Sequence, residues 1–302
     1  MALESNTSTD EESTNDALLM EASVARIRPE THDDIAQQQA LEERASRTLD
    51  QIDSLQKQLL EEDTVAPPSL GFELPARFLL SIVVPIYNEE ATIARVISKL
   101  FTLPVPIQVI AVDDGSTDGT RELLRELGEQ YPALTVALQE RNQGKGAALR
   151  RGFSLATGTH VMVQDADLEY NPDDIPSLLE PLAKQEADVV YGSRFLEQRW
   201  EGSSFVHRLG NSILTKASNL WTGWKLTDME TCYKVFRRDL LNRFTLEQDK
   251  FGFEVELTSK LARLKARVVE LPISYDARGW EEGKKIGWKD AVQALYCICL
   301  YR

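Results

Sequence analysis

Short apolar runs alternate with amphipathic segments between residues 79 and 191, and this alternation limits the folds open to the chain. Five runs have the length and composition of buried strands: Leu79–Ile86, Ile107–Val112, Leu134–Leu138, His160–Gln164 and Asp188–Tyr191. The segments between them have helical spacing, near residues 89–101, 117–130, 144–157 and 172–185. A repeated strand–helix–strand order predicts an α/β fold with a doubly wound, mostly parallel central sheet.

Carboxylates cluster at the end of the fourth run, in the stretch HVMVQDADLEYNP from His160 to Pro172. Asp165, Asp167 and Glu169 follow the buried run at every second position. Oxygen ligands of this kind suit Mg²⁺ or Mn²⁺, which keep open positions for phosphate oxygens and water. The pattern predicts a metal site for a diphosphate substrate at the carboxyl end of a parallel strand. Since D-x-D is short and common, a solvated acidic loop is the alternative.

Polar residues also follow the first two strands. After the first, Tyr87 is placed to face a nucleobase or ribose and Glu89 to accept a hydrogen bond from either, although acids also favour the start of a helix. After the second, VDDGSTDGT at 112–120 carries turn and N-cap residues as well as acids. NQGKG at 142–146 lacks the full phosphate-loop pattern, so it predicts a tight helix start with Lys145 as an anion contact.

Composition bounds the chemistry without naming it. The 302 residues are 42% hydrophobic, which is enough to bury the core of one large domain or two small ones. The formal charge of -14 is concentrated in residues 1–63, which hold 16 acidic and 5 basic residues against 32 and 29 in the remainder. The acidity therefore says little about the partners of the remainder, and no nucleic-acid partner is expected.

Cysteines and apolar runs indicate the compartment. Cys232, Cys297 and Cys299 show no ligand spacing, and an odd count without a signal peptide predicts a reducing environment. Runs of about 18 or more apolar residues, which would predict a membrane span, are not found, and the acid-rich start does not resemble a secretory signal. We expect a cytoplasmic protein.

The N-terminal arm, residues 1–75, differs in composition from the rest. Residues 1–36 are rich in Ser, Thr, Asn and acids, which predicts disorder. Apolar or small side chains then recur at steps of four and three, which predicts a helix over 37–62: Leu41, Ala45, Thr48, Ile52, Leu55 and Leu59. That helix either packs on its own domain or binds a partner or a second copy. Ala66–Ser69 predicts a linker before a domain of residues 76–302.

Several motifs occur in a fixed order: PIYNEE at 85–90, VDDGSTDGT at 112–120, NQGKGAALRRG at 142–152, DADLEY at 165–170 and GSR at 192–194. Together they resemble family 2 glycosyltransferases with the GT-A fold, most of all the branch of dolichyl-phosphate mannosyltransferase and the bacterial polyprenyl-phosphate glycosyltransferases. The resemblance covers about residues 76–302. It implies a GDP- or UDP-linked nucleotide-sugar donor, a polyprenyl phosphate acceptor, and Mg²⁺ or Mn²⁺ as cofactor.

The resemblance also implies roles for individual positions. Nucleotide-sugar contacts fall at Pro85, Tyr87, Glu89, Val112, Asp114, Asp165, Ala166, Asp167, Arg194, Arg278 and Lys284. Metal ligands fall at Asp165, Asp167 and Glu169, although the family usually has Gln at the last position. The resemblance places the contacts with the acceptor phosphate at Arg208 and Ser212. The resemblance assigns catalytic roles to Asp167, Arg194 and Asp228. Asp228 is the proton acceptor if the acceptor is a hydroxyl, and the cap of the next turn otherwise.

Segments near the C-terminus are relevant to how a lipid acceptor would be bound. Residues 206–224 predict an amphipathic helix whose apolar side either joins the core or forms a surface for an isoprenoid chain. Residues 251–264 predict a helix, and 267–271 predict a strand. Residues 288–302 predict a helix too short to span a membrane, which either packs on its own domain or rests on an anionic bilayer.

We therefore expect a metal-dependent, inverting glycosyltransferase that moves a hexose from a nucleotide sugar to a polyprenyl phosphate, as a peripheral protein at the cytoplasmic membrane face. A phosphate monoester already presents an anionic oxygen, whereas a hydroxyl acceptor needs a general base. One alternative is the same donor chemistry with a soluble or glycan hydroxyl acceptor. The other is a non-catalytic scaffold that binds nucleotide sugars.

Overall fold

The computed structural model describes residues 70–197, 200–201, 205–250, 252–277 and 288–301. The predicted disordered stretch, the helix at 37–62 and the linker lie outside these residues and stay predictions. Arg278 and Lys284 also lie outside them.

Strands and helices alternate over most of the described chain. The strands are β1 Leu80–Ile86, β2 Ile107–Asp113, β3 Leu134–Leu138, β4 His160–Val163, β5 Val189–Ser193, β6 Trp200–Glu201, β7 Lys234–Arg237, β8 Val268–Pro272 and β9 Tyr275–Asp276. The α-helices are α1 Ile93–Leu100, α2 Thr120–Gln130, α3 Lys145–Leu155, α4 Ile175–Ala183, α5 Phe205–Thr222, α6 Gly252–Arg263 and α7 Trp288–Leu300. Short 3-10 helices occupy Pro172–Asp174 and Arg238–Arg243.

The main sheet has the strand order β3-β2-β1-β4-β7-β5-β8, and β6 pairs with β9 separately. Neighbouring strands of the main sheet are parallel except at β7, which runs antiparallel to β4 and β5. The predicted α/β fold with a mostly parallel sheet is therefore confirmed. The chain runs outward from β1 to β3 and then returns to β4 on the other side of β1. Such a reversal leaves a crevice at the carboxyl ends of the two central strands.

The central strands are buried, which explains why their sequences do not alternate. In β1 the side chains of Ile82, Val83 and Val84 are 0% exposed. A continuous apolar run is what a parallel strand covered on both faces requires. α1 buries Ile93, Val96, Ile97 and Leu100, whose spacing lies on one helical face. Burial of each such side chain contributes about 1.5–3 kcal/mol to stability.

β7 has no counterpart among the predicted strands. It is four residues long and begins with Lys234, a charged residue that sequence patterns assign to solvent. In the fold the Lys234 side chain is 1% exposed, and its ammonium pairs with the Glu254 carboxylate of α6. The pair with Glu254, a residue distant in sequence, compensates the burial of the Lys234 charge.

α3 lies against β1 at Gly152, where there is no room for a side chain. A Cβ built at Gly152 would lie 2.2 Å from Cγ1 of Val83. We expect Gly152→Ala to lower the free energy of unfolding by about 1–3 kcal/mol, because overpacking displaces neighbouring side chains and backbone. Urea unfolding of the two proteins measures the difference.

Gly128→Ala in α2 is the matched control. Its added Cβ would lie 3.4 Å from Cγ2 of Val136, an ordinary van der Waals contact. Because alanine has the higher helix propensity, this change should raise the free energy of unfolding by about 0.5–1 kcal/mol. Similar losses in both variants would contradict the packing argument.

Candidate active site

The carboxyl ends of β1, β2 and β4 open into a cavity of about 1140 Å³. It is lined by residues 88–92 and Arg95 after β1, Asp118 after β2, Asp167 and Leu168 after β4, and Asp276 and Ala277 at the end of β9. Glu89 and Asp167, both predicted site residues, therefore border the same space. A cavity of this size is large enough for a nucleotide sugar.

The loops after β1 and β2 are tied together by hydrogen bonds to the backbone. Asn88 adopts a φ of 55°, and its Oδ1 accepts the N–H of Thr117 at 2.8 Å. The Glu89 carboxylate accepts the Thr92 hydroxyl at 2.7 Å, just before α1. Glu89 thus supports the start of α1 and also borders the cavity, and its contact with a nucleotide stays a prediction. Tyr87 is 40% exposed in the same loop.

Asp114 is buried and holds the loop before α3. Its carboxylate accepts the backbone N–H of Gln143 at 2.8 Å and of Gly144 at 2.7 Å, and the side-chain amide of Gln139 at 2.8 Å. The structure assigns Asp114 to fixing this loop. Its contact with a nucleobase stays a prediction.

The other predicted donor contacts differ in exposure. The side chains of Val112 and Ala166 are buried in the core, at 0% and 4% exposure. Neither side chain can reach a ligand without displacement of the core, so these two positions can meet a donor only through backbone atoms. Pro85 is partly exposed near the end of β1.

The three acids of the D-x-D stretch make separate contacts. Asp165 Oδ1 lies 2.7 Å from the Lys145 ammonium, and Asp167 borders the cavity. The Glu169 carboxylate accepts the Tyr275 hydroxyl at 2.5 Å. Among the described residues, no group of three or more His, Cys, Asp or Glu side chains is arranged to hold a metal ion.

These contacts decide how the stretch fits a divalent cation. Mg²⁺ commonly takes one or two carboxylates, with phosphate oxygens and water in the remaining positions. Asp165 and Asp167 fit that donor set, and Asp165 already bonds a cationic group. The Glu169 carboxylate also accepts the Tyr275 hydroxyl, and its role as a third ligand stays a prediction.

Asp228 pairs with Arg194 across the ends of β5 and the segment before β7. Asp228 is 0% exposed, and its two oxygens accept Arg194 Nε at 2.6 Å and Nη2 at 2.8 Å. The backbone N–H of Arg194 and the Asn211 amide also donate to this carboxylate, at 3.2 and 3.0 Å. A general base needs a lone pair directed at substrate, and these four bonds occupy the carboxylate. The arrangement therefore argues against the predicted proton-accepting role and makes Asp228 the residue that orients Arg194.

The Arg194 guanidinium is further enclosed by aromatic rings. Its central carbon lies 5.1 Å from the ring centre of Tyr275 and 6.0 Å from that of Tyr170. Burial alone would lower the pKa of Arg194, but the Asp228 carboxylate raises that pKa well above its ordinary value. Arg194 is thus a permanently charged, oriented group, and such a group suits a phosphate.

The predicted acceptor residues lie on α5. Arg208 is exposed and Ser212 is partly buried, one helical turn apart. Asn211 lies between them and bonds Asp228, so this part of α5 is fixed next to the Arg194–Asp228 pair.

A profile of the family described as Glycosyl transferase family 2 matches residues 81–245, more than half of the chain. The chain belongs to glycosyl transferase family 2. The match begins in β1 and ends after β7, so it contains the D-x-D carboxylates, Arg194 and Asp228. The family predicted from the motifs is therefore confirmed.

Two relatives of this family 2 chain have names that include a lipid phosphate. The undecaprenyl-phosphate mannosyltransferase of Micrococcus luteus is 32% identical over 216 residues, which are 68% of this chain and 86% of that protein. The undecaprenyl-phosphate 4-deoxy-4-formamido-L-arabinose transferase of Aeromonas hydrophila is 32% identical over 211 residues, 68% of this chain. The match covers 62% of the Aeromonas protein, so the chain spans less than two thirds of that relative's length.

Solved structures establish the fold independently. The glucosyl-3-phosphoglycerate synthase of Mycobacterium tuberculosis in complex with UDP superimposes with a TM-score of 0.59, at 23% identity. The superposition covers 75% of this chain and 80% of that one. The architecture is thus that of GT-A glycosyltransferases, as predicted.

Glu230 is a partly buried residue with one buried carboxyl oxygen, and sequence reasoning does not single it out. Among the described residues its Oε1 is buried without a hydrogen-bond partner. Burial raises the pKa of Glu230 from 4.5 to about 7, and Lys234 opposes that rise. The only sequence signal is its place two residues after Asp228.

The raised pKa of Glu230 predicts how stability depends on pH. Below pH 4.5 the carboxyl is protonated in both states, whereas above its folded pKa of about 7 its charge destabilises the fold. Its contribution to stability is therefore lost as the pH rises from 4.5 through 7. We expect Glu230→Gln to raise the free energy of unfolding by about 1–3 kcal/mol at pH 8 and to change it little near pH 4.5. Denaturant unfolding at both pH values measures this.

Glu256→Gln is the matched control, since Glu256 is buried but well bonded. Its carboxylate accepts the N–H of Glu247 and of Gln248, each at 2.8 Å, and pairs with Lys260. This change should lower the free energy of unfolding at pH 8 by about 1–3 kcal/mol. A loss of stability at pH 8 in Glu230→Gln as well would contradict the conclusion that the charge of Glu230 destabilises the fold.

Proposed function

We propose that the protein is a metal-dependent, inverting glycosyltransferase that moves a hexose from a nucleotide sugar to a polyprenyl phosphate. The observation that carries the proposal is the meeting of acidic and basic groups at one edge of the sheet. The D-x-D carboxylates follow β4, and Arg194 follows β5. Tyr275 links them, because its hydroxyl bonds Glu169 and its ring faces Arg194.

The donor reaction needs stabilisation of negative charge. The bond between C1 of the sugar and the diphosphate oxygen breaks, and charge gathers on the leaving phosphate. Asp165 and Asp167 would hold a divalent cation, which supplies Lewis-acid stabilisation of that charge. Arg194, oriented by Asp228 before the reaction, adds a fixed positive charge whose effect grows as the bond breaks. The Mycobacterium tuberculosis synthase has been solved with Mg²⁺ and UDP, which supports a metal and a nucleoside diphosphate here.

The contacts of Asp228 favour a phosphate acceptor over a hydroxyl acceptor. Its carboxylate is occupied by Arg194 and Asn211, so it does not offer a base for a hydroxyl. A phosphate monoester brings its own anionic oxygen, which can attack C1 from the side opposite the leaving group and invert that carbon. The names of the Micrococcus luteus and Aeromonas hydrophila relatives specify undecaprenyl phosphate, which supports the same acceptor class.

A hydroxyl acceptor, soluble or on a glycan, is the second candidate. Such an acceptor needs a general base within hydrogen-bond reach of its hydroxyl, and Asp228 would have to exchange one of its present bonds to act as that base.

Peripheral contact with a membrane is also part of the proposal. Of the helices that the structure describes, none combines the length and the apolar character needed to cross a bilayer. α5 exposes Leu209 at 50%, Ile213 at 52% and Leu220 at 79%, and their spacing lies on one helical face. α7 buries Ala294, Cys297 and Ile298, and Tyr301 directly after it is also buried, so the helix packs on its own domain. It also exposes Leu295, Tyr296 and Leu300.

The arm completes the proposal. We assign residues 1–75 to an acidic arm and 76–302 to the GT-A domain, with the helix at 37–62 as a site for a partner or a second copy. Transfer is assigned to the GT-A domain alone.

Transfer of labelled sugar tests the function directly. We expect UDP- or GDP-linked hexose, incubated with Mg²⁺ or Mn²⁺ and undecaprenyl or dolichyl phosphate, to yield label in the organic phase. Label that appears only with a soluble acceptor would move the hydroxyl reaction to first place. If the donor is hydrolysed and no label enters the organic phase, the proposed lipid acceptor is wrong.

Asp167→Asn is the matched variant for that assay. It keeps the size of the side chain while removing a carboxylate charge at the cavity, so kcat should fall by about 100-fold or more with the fold retained. Circular dichroism checks the fold. Near-full activity would rule out Asp167 as a metal ligand.

Vesicle sedimentation tests the membrane surface. We expect the protein to bind vesicles of phosphatidylcholine and phosphatidylglycerol, and Ile213→Gln with Leu220→Gln to weaken binding about tenfold, because two apolar side chains are lost from the interface. Leu138→Gln is the control, since Leu138 is 45% exposed on β3, at the opposite edge of the sheet from β8. Equal weakening by both changes would contradict the assignment of the α5 surface.

A further inference from the structure

Four charged side chains of alternating sign run inward from the D-x-D stretch. The Lys145 ammonium lies 2.7 Å from Asp165 Oδ1 and 3.7 Å from Glu254 Oε1. The other oxygen of Glu254 pairs with Lys234. Exposure falls along the series, from 21% at Asp165 and 23% at Lys145 to 6% at Glu254 and 1% at Lys234. The series is electrically neutral and ends in the core.

The inner end of the series is fixed. The Lys234 ammonium donates to the carbonyl oxygen of Thr231 at 2.6 Å and lies 5.3 Å from the ring centre of Tyr191. It therefore holds Glu254 Oε2 in place, while Glu254 Oε1 faces Lys145. Lys145 is the outermost cation, and it can shift between two carboxylates that are both already within ion-pair distance.

The backbones that carry Lys145 and Glu254 are also held together. The N–H of Ala147 in α3 donates to the carbonyl of Asp249 at 3.2 Å, shortly before α6 begins. A Cβ built at Gly146 would lie 2.2 Å from the carbonyl oxygen of Gln248, so only glycine permits this approach. The spacing between the backbones that carry Lys145 and Glu254 is therefore set by this close contact.

A divalent cation at Asp165 changes the balance of this series. It brings two positive charges beside an ammonium that already neutralises the same carboxylate. Like charges at such a distance repel strongly in a site shielded from water. Lys145 therefore opposes cation binding unless its ammonium moves away, and Glu254 Oε1, 3.7 Å from that ammonium, is a carboxylate oxygen that can receive it.

We propose that Lys145 is the exchangeable counter-cation of Asp165, and that Glu254 is a positioning residue that receives the Lys145 ammonium when a divalent cation binds. The inference rests on the metal site of the proposed function. Lys145 keeps Asp165 neutralised before the donor arrives, so cation affinity is low in the empty site. Glu254 lowers the free-energy cost of the exchange by offering Lys145 a second partner.

Cation affinity, measured without donor or turnover, tests the exchange. The free Mn²⁺ signal in electron paramagnetic resonance gives the Kd for the full-length protein. We expect Lys145→Met to tighten Mn²⁺ binding about fivefold or more, because the competing charge is gone. We expect Glu254→Gln to weaken it about fivefold, because Lys145 then stays on Asp165. In the double variant the Kd should equal that of Lys145→Met, since Glu254 acts only through Lys145.

Controls separate charge from structural damage. Arg150→Gln lies on α3, where Arg150 pairs with Asp249, and Glu256→Gln lies on α6, where Glu256 pairs with Lys260. Both should leave the Kd within about twofold of the wild type. If Glu254→Gln does not fold, the Kd of Lys145→Met decides whether Lys145 competes with the cation. Glu254→Asp then replaces Glu254→Gln, because it keeps the carboxylate charge and shortens the side chain by one methylene.

The outcomes distinguish this inference from the proposed function. Unchanged or weaker Mn²⁺ binding in Lys145→Met overturns the exchange. Equal weakening by Glu254→Gln with and without Lys145 overturns the positioning role. If neither the wild type nor any variant binds Mn²⁺, with or without UDP, the metal site of the proposed function fails and takes this inference with it.

Discussion

The insertion of β7 between β4 and β5 is the pairing on which the site depends. β7 bonds to both neighbours in antiparallel register, so β4 and β5 never touch. The residues just before β7 are thereby delivered to the carboxyl ends of the two strands. Asp228 comes from this segment and reaches Arg194 at the end of β5. Without β7 the acidic and basic halves of the site would have no common support.

Buried charge is the second constraint, and it is met by pairing. An uncompensated buried charge destabilises a protein by several kcal/mol. Accordingly, Asp113 pairs with Arg121 and Asp228 with Arg194, and both carboxylates are fully buried. Pairing orients these groups as well as neutralising them. The site is therefore polar yet ordered before any ligand arrives, which is the property that electrostatic catalysis requires.

Local pattern predicts most of the sheet, because burial on both faces requires continuous apolar runs. β1 to β5 and β8 coincide with predicted runs to within a few residues, and α1 to α7 fall within or beside predicted segments. β7 escapes prediction because its first residue is a lysine, whose burial depends on partners such as Glu254 that are brought close only by the fold. Among the predicted site residues, the strand-end pattern singles out Asp165 and Asp167, whereas Arg194 is singled out by the family resemblance. Pattern does not separate Asp114 and Asp228, whose oxygens serve backbone and arginine donors, from residues that face a ligand.

The sequence by itself determined the class of fold, the family and the strand ends at which polar groups gather, since these follow from residue type and spacing along the chain. Only the tertiary structure decided which charges meet. Lys145 lies between Asp165 and Glu254 although these residues are 20 and 109 positions away from it. The physical reason is that ion pairs and hydrogen bonds form over a few ångströms in space, and that proximity is created by strand order and helix packing, which no local pattern encodes.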